Sequence, residues 1–383
     1  MAGDRSDIAT SEAHPALSVI ICSLGNAQLE RAVDSVVASA KKASAHVEII
    51  VVWQGRKEHP ALGAGVRILE TIPVGLAYAR NRGLAVARAA LIGFVDDDEV
   101  VDKGWVAAAL AALSGEGDMV AAFGPVQPLD EDGLPHCLLD PGEPRLFTRS
   151  STPPWVVGTG GNMIIRRDVL EEEGGFDPKL GAGAEGRAGE ESDLIVRLLR
   201  HGNVLVWSPA LTVYHPTKTP DERLASRFPY GFGLGRVVRR HMAPMLAARY
   251  VRATLQYLRE GLRKRDSQQR REALQTLRGF FAGVFLPVRP MSPTTIGEYA
   301  PGELRGEVSK GRLEPLRIEY GETPRLRYRL CDGRLLDVYL APPRTLVESL
   351  GRSEAEQAVV PGRDSVWLLR GRSSIKRRPS VHV

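Results

Sequence analysis

Three adjacent carboxylates, Asp96, Asp97 and Asp98, follow directly on an apolar run, Leu91-Ile-Gly-Phe-Val95. Like charges in contact repel, so a folded chain keeps such a triplet together only with compensation. A divalent cation bound by oxygen ligands supplies it, and Mg2+ or Mn2+ favours one or two protein carboxylates completed by phosphate oxygens. The triplet therefore points to a cation that holds a diphosphate. An acidic turn capping a helix that begins near Asp102 is the plainer alternative, but the triplet ends a buried strand, where desolvation is costly.

A second acidic cluster, Gly189-Glu190-Glu191-Ser192-Asp193-Leu194, opens a helix that continues through Arg197 and Leu199. Acids in a first helical turn are favoured by the helix dipole alone, and Asp193 with Arg197 has the spacing of a simple i,i+4 pair. The functional reading is that one of these carboxylates deprotonates an acceptor hydroxyl, help worth about 10² to 10⁴ in rate. His215 stands between Tyr214 and Pro216 at a strand end. A lone histidine there is either structural or a third metal ligand. Arg80, Asn81 and Arg82 lie on the helix before the Asp-bearing strand. Arginine can clamp phosphate and asparagine can bond a base or ribose, whereas solvation of a helix surface explains the same residues without a ligand.

The elements that must position these groups alternate. Leu17-Ser-Val-Ile-Ile-Cys22, Val47-Glu-Ile-Ile-Val-Val-Trp53, Val66-Arg-Ile-Leu69 and Leu91–Val95 read as buried strands. Leu29, Val33, Val36 and Val37, and the Ala-rich stretch ending at Ala87, read as intervening helices. Continuous apolar strands separated by helices predict a mostly parallel sheet covered on both faces, with ligands beyond the carboxyl ends of the strands. Residues 129–154 read as a long loop. Strand and helix resume at 161–166 and 190–201, with further strands at 204–207 and 211–214. After Gly235, Val251, Leu255, Leu258 and Leu262, then Leu274, Leu277, Phe281 and Phe285, have amphipathic helical spacing. The alternating stretches 326–330 and 336–340 predict a small β-rich unit. The expected division is a disordered N-terminus (1–15), an α/β domain (16–240), a basic amphipathic helical segment (241–292), a β-rich unit (293–370) and a disordered basic tail (371–383).

Net charge is +5 over 383 residues. Eleven Arg or Lys and two acids fall between Arg236 and Arg271, a block that favours an anionic neighbour or a solvated helix face. Phe280, Phe281, Val284 and Phe285 beside these arginines fit an interfacial helix, so residues 236–290 are an expected peripheral membrane contact; packing against the α/β domain explains the same spacing. The helices lack the interleaved aromatics of single-strand binders, and no nucleic-acid partner is expected. Cys22, Cys137 and Cys331 are scattered and lack metal-ligand spacing, which suits a reducing cytosol. The N-terminus lacks the pattern of a signal peptide, and the longest apolar run, 279–288, has ten residues, against about 20 for a membrane span. A cytoplasmic chain, peripheral at the inner face of a membrane where it docks, is expected.

In this order, the motifs resemble those of family 2 glycosyltransferases of the GT-A fold. The similar stretches are 17–22, Gly75-Leu-Ala-Tyr-Ala-Arg-Asn-Arg-Gly83 leading to Phe94-Val-Asp-Asp-Asp98, Gly158-Thr-Gly-Gly-Asn-Met-Ile-Ile-Arg-Arg167, Gly174-Gly-Phe-Asp177, 189–194 and Val213-Tyr-His215. The resemblance covers about residues 16 to 240 and implies an inverting, metal-dependent single displacement from a nucleotide-diphosphate sugar. The acceptor would be a glycan, a lipid-linked species or a small molecule in glycan, glycolipid or polysaccharide synthesis. It implies that Asp96 contacts the ribose or shares the metal, that Asp98 and His215 ligate Mg2+ or Mn2+, and that Glu191 is the base, with Glu190 and Asp193 as alternatives. Ser23, Gln54, Arg80, Asn81, Asp96, Asp97, Gly160, Gly161 and Asn162 would surround the nucleotide-sugar. Three departures stand out: Trp53-Gln54-Gly55-Arg56 where the family commonly has acids followed by Gly-Ser, Glu191 where it has Asp, and Ser23-Leu-Gly-Asn26 where it often has Pro-Thr-Tyr-Asn. A nucleotidyltransferase would need a Gly-rich loop after the first strand, where 23–28 holds one Gly. An inactive GT-A scaffold at the membrane surface is the alternative from another class.

Overall fold

A computed structural model describes residues 14–55, 58–63, 65–71, 75–114, 119–135 and 142–286, and five strands between 314 and 370. The expected disordered ends, 1–15 and 371–383, fall almost wholly outside the described residues.

The first strands are apolar on both faces because both faces are covered. Strands β1 (Leu17–Ser23), β2 (Val47–Trp53) and β3 (Val66–Glu70) run parallel, and β1 also pairs in parallel with β4 (Leu91–Asp96). Helix α1 (Leu29–Lys42) packs on one face and α2 (Leu76–Val86) on the other. Gly83 lets α2 lie directly on β1, where an added Cβ would stand 2.5 Å from a methyl of Ile20. After β4 come β5 (Val100–Val101), α3 (Trp105–Ala112), β6 (Met119–Phe123), β7 (Val126–Pro128) and β8 (Arg145–Phe147). Then follow β9 (Asn162–Arg166), α4 (Arg167–Glu172), α5 (Glu190–Arg200), β10 (Val204–Trp207) and β11 (Val213–His215).

The main sheet has eight strands in the order β3-β2-β1-β4-β9-β6-β10-β8. It is parallel apart from β9, antiparallel to both neighbours, and β8 at the edge. A small sheet, β5-β11-β7, lies beyond the end of β4 and brings His215 back toward the acidic triplet. The stretch expected as a loop over 129–154 contains the edge strand β8, and 136–141 lie outside the described residues.

Three helices follow. A Thr219–Glu222 capping box with Pro220 in the first turn starts α6 (Pro220–Arg240). Helices α7 (Pro244–Arg263) and α8 (Ser267–Phe285) come next. Gly231 and Gly235 of α6 face Gly279 and Gly283 of α8 so closely that an added Cβ at any of them would lie 2.1–2.3 Å from a backbone oxygen of the other helix. Phe280 is buried there with Leu234 and Val237, the part-buried Tyr250 packs against them, and Phe281, Phe285 and Leu286 of this stretch stay exposed. Phe280 thus belongs to the core rather than to an interfacial face. Strands β12 (Glu314–Glu319), β13 (Arg325–Arg329), β14 (Leu335–Tyr339), β15 (Ala355–Val360) and β16 (Arg363–Arg370) form an antiparallel sheet in the order β12-β13-β14-β16-β15.

Candidate active site

A cleft of ≈ 720 Å³ opens beyond the carboxyl ends of β1 and β4 and reaches the N-terminus of α5 and the helices α6 and α7. Its floor is set by β1 and β4, whose register places Cys22 beside Asp96. Ser23, Gln54, Arg80, Asp96, Asp97, Asp98, Gly160, Gly161, Glu190, Glu191 and His215 all line it. The fourteen named candidates thus divide into eleven that line the cleft and three that do not: Asn81, Asn162 and Asp193.

Arg80 is the centre of the arrangement. It is almost fully buried, its Nη2 bonds Asp96 Oδ1 at 3.0 Å and its Nη1 bonds Glu190 Oε1 at 2.8 Å. Its guanidinium also lies 5.8 Å from the ring centre of Phe94 and 5.5 Å from that of Phe176. The arginine expected to clamp phosphate bridges Asp96 to Glu190 at the start of α5, and both carboxylates hold its charge firmly in place. Gly160 and Gly161 run against this bridge. An added Cβ would stand 2.6 Å from Arg80 Nη1 at the first and 2.4 Å from Asp96 Oδ2 at the second.

The triplet is divided by its surroundings. Asp97 is pushed up to about 6 by burial and by the charges of Asp98 and Asp96, opposed by hydrogen bonds from Ser23 and Asn26. Burial likewise raises Asp98, while His215 opposes it; the His215 Nε2 lies 3.4 Å from Asp98 Oδ2. His215 Nδ1 faces the Pro216 carbonyl at 2.6 Å, which fixes the ring. Glu99, overlooked in the sequence, is buried behind the triplet, accepts the Asp96 backbone N–H at 3.2 Å and is held well above the carboxylate range by burial and by Asp96. Carboxylates crowded and raised in this way, next to an imidazole, suit a hard divalent cation. Among the described residues no group of three or more His, Cys, Asp or Glu converges into a metal cage, so any cation here needs ligand oxygens as well. Lys218, also missed, lines the same end and its charge reaches Asp98.

The acidic helix shows a division of labour. Gly189 takes a left-handed φ of 92° against Gly233 of α6 and so starts α5 where Glu190 turns inward to Arg80. Glu191 remains half-buried in the cleft wall; burial first, and the charge of Glu190 second, push it up to about 8. Asp193 corrects one expectation: it is fully buried away from the cleft, bonding Arg197 Nε at 2.9 Å and His241 Nε2 at 2.8 Å, with Arg240 Nε at 3.3 Å. It ties α5 to the end of α6.

Two asparagines are corrected likewise. Asn81 exchanges both side-chain bonds with the Phe176 backbone, at 2.8 and 2.9 Å. Asn162 accepts from Trp105 Nε1 at 2.9 Å and donates to the Pro125 and Leu211 carbonyls at 3.2 and 2.6 Å. Their amides are committed to holding loops. At the β2 end of the cleft, Gln54 Oε1 accepts from Gly75 N–H at 3.3 Å, and the Trp53 indole is buried against Gly25 and Gly55. Thr159 Oγ1, in the wall beside Gly160, is buried without a hydrogen-bond partner among the described residues.

The family model for glycosyl transferase family 2 matches residues 18–174. No curated protein matches the sequence. Among solved structures, the mannosyltransferase PcManGT from Pyrobaculum calidifontis, in complex with GDP-Man and Mn2+, is similar with a TM-score of 0.52 at 16% identity, over 72% of this chain and 88% of that one. S. aureus TarS 1–349 has a TM-score of 0.45 at 15% identity, over 70% of this chain and 80% of that one. The first likeness bears on the fold, and the family match spans β1, the acidic triplet and the Gly160–Gly161 turn. Residues 18–174 therefore match glycosyl transferase family 2, on a sheet whose fold is shared with a solved mannosyltransferase.

Proposed function

We propose that this glycosyltransferase moves a sugar from a nucleoside-diphosphate donor to an acceptor hydroxyl by an inverting single displacement that depends on Mg2+ or Mn2+. The observation that carries the reading is the Arg80 bridge from Asp96 to Glu190, which joins the cation side of the cleft to the helix bearing Glu191. Asp98 and His215, with Asp96 alongside, would hold the cation; when bound, it supplies Lewis-acid stabilisation of the departing diphosphate. Lys218 adds positive charge at that end. Ser23, Gln54 and Asp97 line the nucleoside end, and Gly160–Gly161 allow the donor to approach Asp96. Glu191 takes the proton of the acceptor hydroxyl, and its raised basicity suits that task. The GDP-Man and Mn2+ bound by PcManGT are consistent with this use of the fold.

A peripheral membrane contact is a further part of the proposal. Phe281, Phe285 and Leu286 are 45%, 74% and 51% exposed beside Arg236 and Arg239, and no helix among the described residues is long and apolar enough to cross a membrane. Flotation with anionic liposomes at low salt tests it.

The function is tested by donor hydrolysis and thermal shift with GDP-, UDP- and dTDP-sugars, with and without Mn2+. One donor series should stabilise the protein, by about 2.7 kcal/mol at a hundredfold over its dissociation constant. Its metal-dependent turnover should vanish in Asp98→Ala. Absence of any metal-dependent donor binding or turnover would leave the inactive scaffold.

A further inference from the structure

Past Glu191 the cleft continues into a wall that donor handling does not use. Trp155, on the short turn Pro154–Val156, meets Tyr250 of α7 edge to face, with ring centroids 5.0 Å apart. Tyr250 in turn packs on Phe280, at 5.1 Å, so the pair is anchored in the buried junction of the three helices. Tyr230 and Leu234 of α6 extend the lining, and Tyr230 is 40% exposed. Aromatic faces of this kind receive the C–H faces of a pyranose ring.

Charge adds a second requirement. Arg227 lines the cleft one turn before Tyr230, and its field reaches Tyr250. Both Arg227 and Arg223 pair with one carboxylate, Glu272, each at 3.2 Å. Glu272 is buried and also accepts from Tyr257 Oη at 3.0 Å and Gln268 Nε2 at 3.2 Å. One negative charge facing two guanidiniums leaves positive charge in excess, and the arginine on the cleft side is the one that can show it to a ligand. Lys218 has the same sign at the neighbouring, diphosphate end.

Resting on the transferase reading above, we infer that this wall is the acceptor subsite and that it takes a sugar carrying an anionic substituent, phosphate or carboxylate. The ring lies against Trp155 and Tyr230 while the substituent meets the Arg227 guanidinium in a charge-assisted pair.

Saturation-transfer NMR and calorimetry on the full chain test this with methyl hexosides, hexose phosphates, hexuronic acids and inorganic phosphate. At least one anionic sugar should bind about tenfold or more tightly than its neutral counterpart, with the advantage shrinking as salt rises. The phosphate and uronate arms separate the two sources of charge. Arg227→Gln should abolish the advantage. It leaves the Arg223–Glu272 pair in place, and melting temperature checks that the variant folds. Arg223→Gln, which removes the same formal charge outside the cleft lining, should reduce the advantage without abolishing it, because Arg227 still faces the ligand. Trp155→Ala should weaken neutral and charged sugars alike. Equal binding of neutral and anionic sugars, or an anion preference that survives Arg227→Gln, overturns the inference; inorganic phosphate binding as well as every sugar phosphate overturns the role of the aromatic wall. Metal-dependent donor binding, measured in the same samples without acceptor, reports separately on the transferase reading.

Discussion

Arg80 and Glu190, 110 residues apart in sequence, meet through a buried 2.8 Å hydrogen bond, and the same guanidinium holds Asp96 at 3.0 Å. A planar fork suits two carboxylates at once, and an ammonium does not. Arg80→Met should therefore leave the buried Glu190 unpaired and the part-exposed Asp96 without its partner, at a cost of about 3 kcal/mol, most of it from Glu190. Arg80→Lys should recover part of the stability, but not the alignment of Asp96 with α5. Urea unfolding and donor titration together check this. Full stability in Arg80→Met, or unchanged donor affinity in Arg80→Lys, would remove the bridge from the argument.

Glu191 links pH to both rate and stability. Its carboxyl is pushed up to about 8 by burial and then by Glu190, from an ordinary value of 4.5. The fold thus favours the protonated form. The stability it contributes is complete below about 4.5 and is lost as pH rises through about 8. A base must be deprotonated, so transfer by the free enzyme should rise with pH up to an inflection near 8. Glu191→Gln should lower turnover by about 10² to 10⁴ while gaining stability on the wild type between pH 5 and 9. Melts at both ends of that window, with a pH–rate profile, decide; a variant that loses activity without any pH-dependent gain in stability contradicts the burial argument.

Asp193 should behave in the opposite way. Arg197, Arg240 and His241 surround its buried carboxylate, so Asp193→Asn should cost stability, about 3–5 kcal/mol for a broken buried pair. Activity per folded molecule should be largely kept at a temperature where the variant is folded. A large loss of turnover with no loss of stability would make Asp193, not Glu191, the base.

What the sequence made legible was the run of apolar strands and the carboxylates at their ends, because a strand covered on both faces must be apolar throughout and its end is where polar groups can gather. Partnership was not legible. Nothing local distinguishes Arg80, which turns inward to two acids, from a solvated arginine, and Asn81 and Asn162 look like ligand groups until the carbonyls they bond arrive from elsewhere in the chain. Asp193 and Glu191 are two residues apart on one helix, and only the packing of α6 decides which faces the cleft. Trp155, Arg227, Tyr230 and Tyr250 come together through the helix junction, so no spacing announced them. One signal was present and unused: glycines four apart, at 231 and 235 and again at 279 and 283, mark helices that touch backbone to backbone.

The Gly160–Gly161 turn can be tested at the second glycine. An alanine Cβ at 161 would sit 2.4 Å from Asp96 Oδ2 and 2.7 Å from Glu99 Oε2. Asp96 cannot swing aside freely, since Arg80 holds its other oxygen. Gly161→Ala should displace the carboxylate and lower kcat/KM by on the order of 10², with little change in overall fold by circular dichroism. Wild-type kinetics in this variant would mean that the position of Asp96 does not matter to turnover.

The contact between α6 and α8 offers a test at a distance from the chemistry. An alanine Cβ at 283 would stand 2.1 Å from the Phe232 carbonyl oxygen, a backbone atom that cannot yield without moving a helix. Alanine is the better helix former by about 1 kcal/mol, so a protein with room to spare would gain from the change. Here overpacking of about 1–3 kcal/mol should outweigh that gain, and Gly283→Ala should melt lower. Gly63→Ala, where nothing lies within 4 Å of the new methyl, serves as the control and should be neutral. The displacement should also reach the active site, because Gly233 on the other side of α6 packs against the Ala188 carbonyl, 2.2 Å from where its Cβ would be, just before Glu190 and Glu191. A variant that melts lower should therefore also lose turnover at temperatures where it is fully folded. If it keeps wild-type turnover there, α6 does not set the position of the acidic helix.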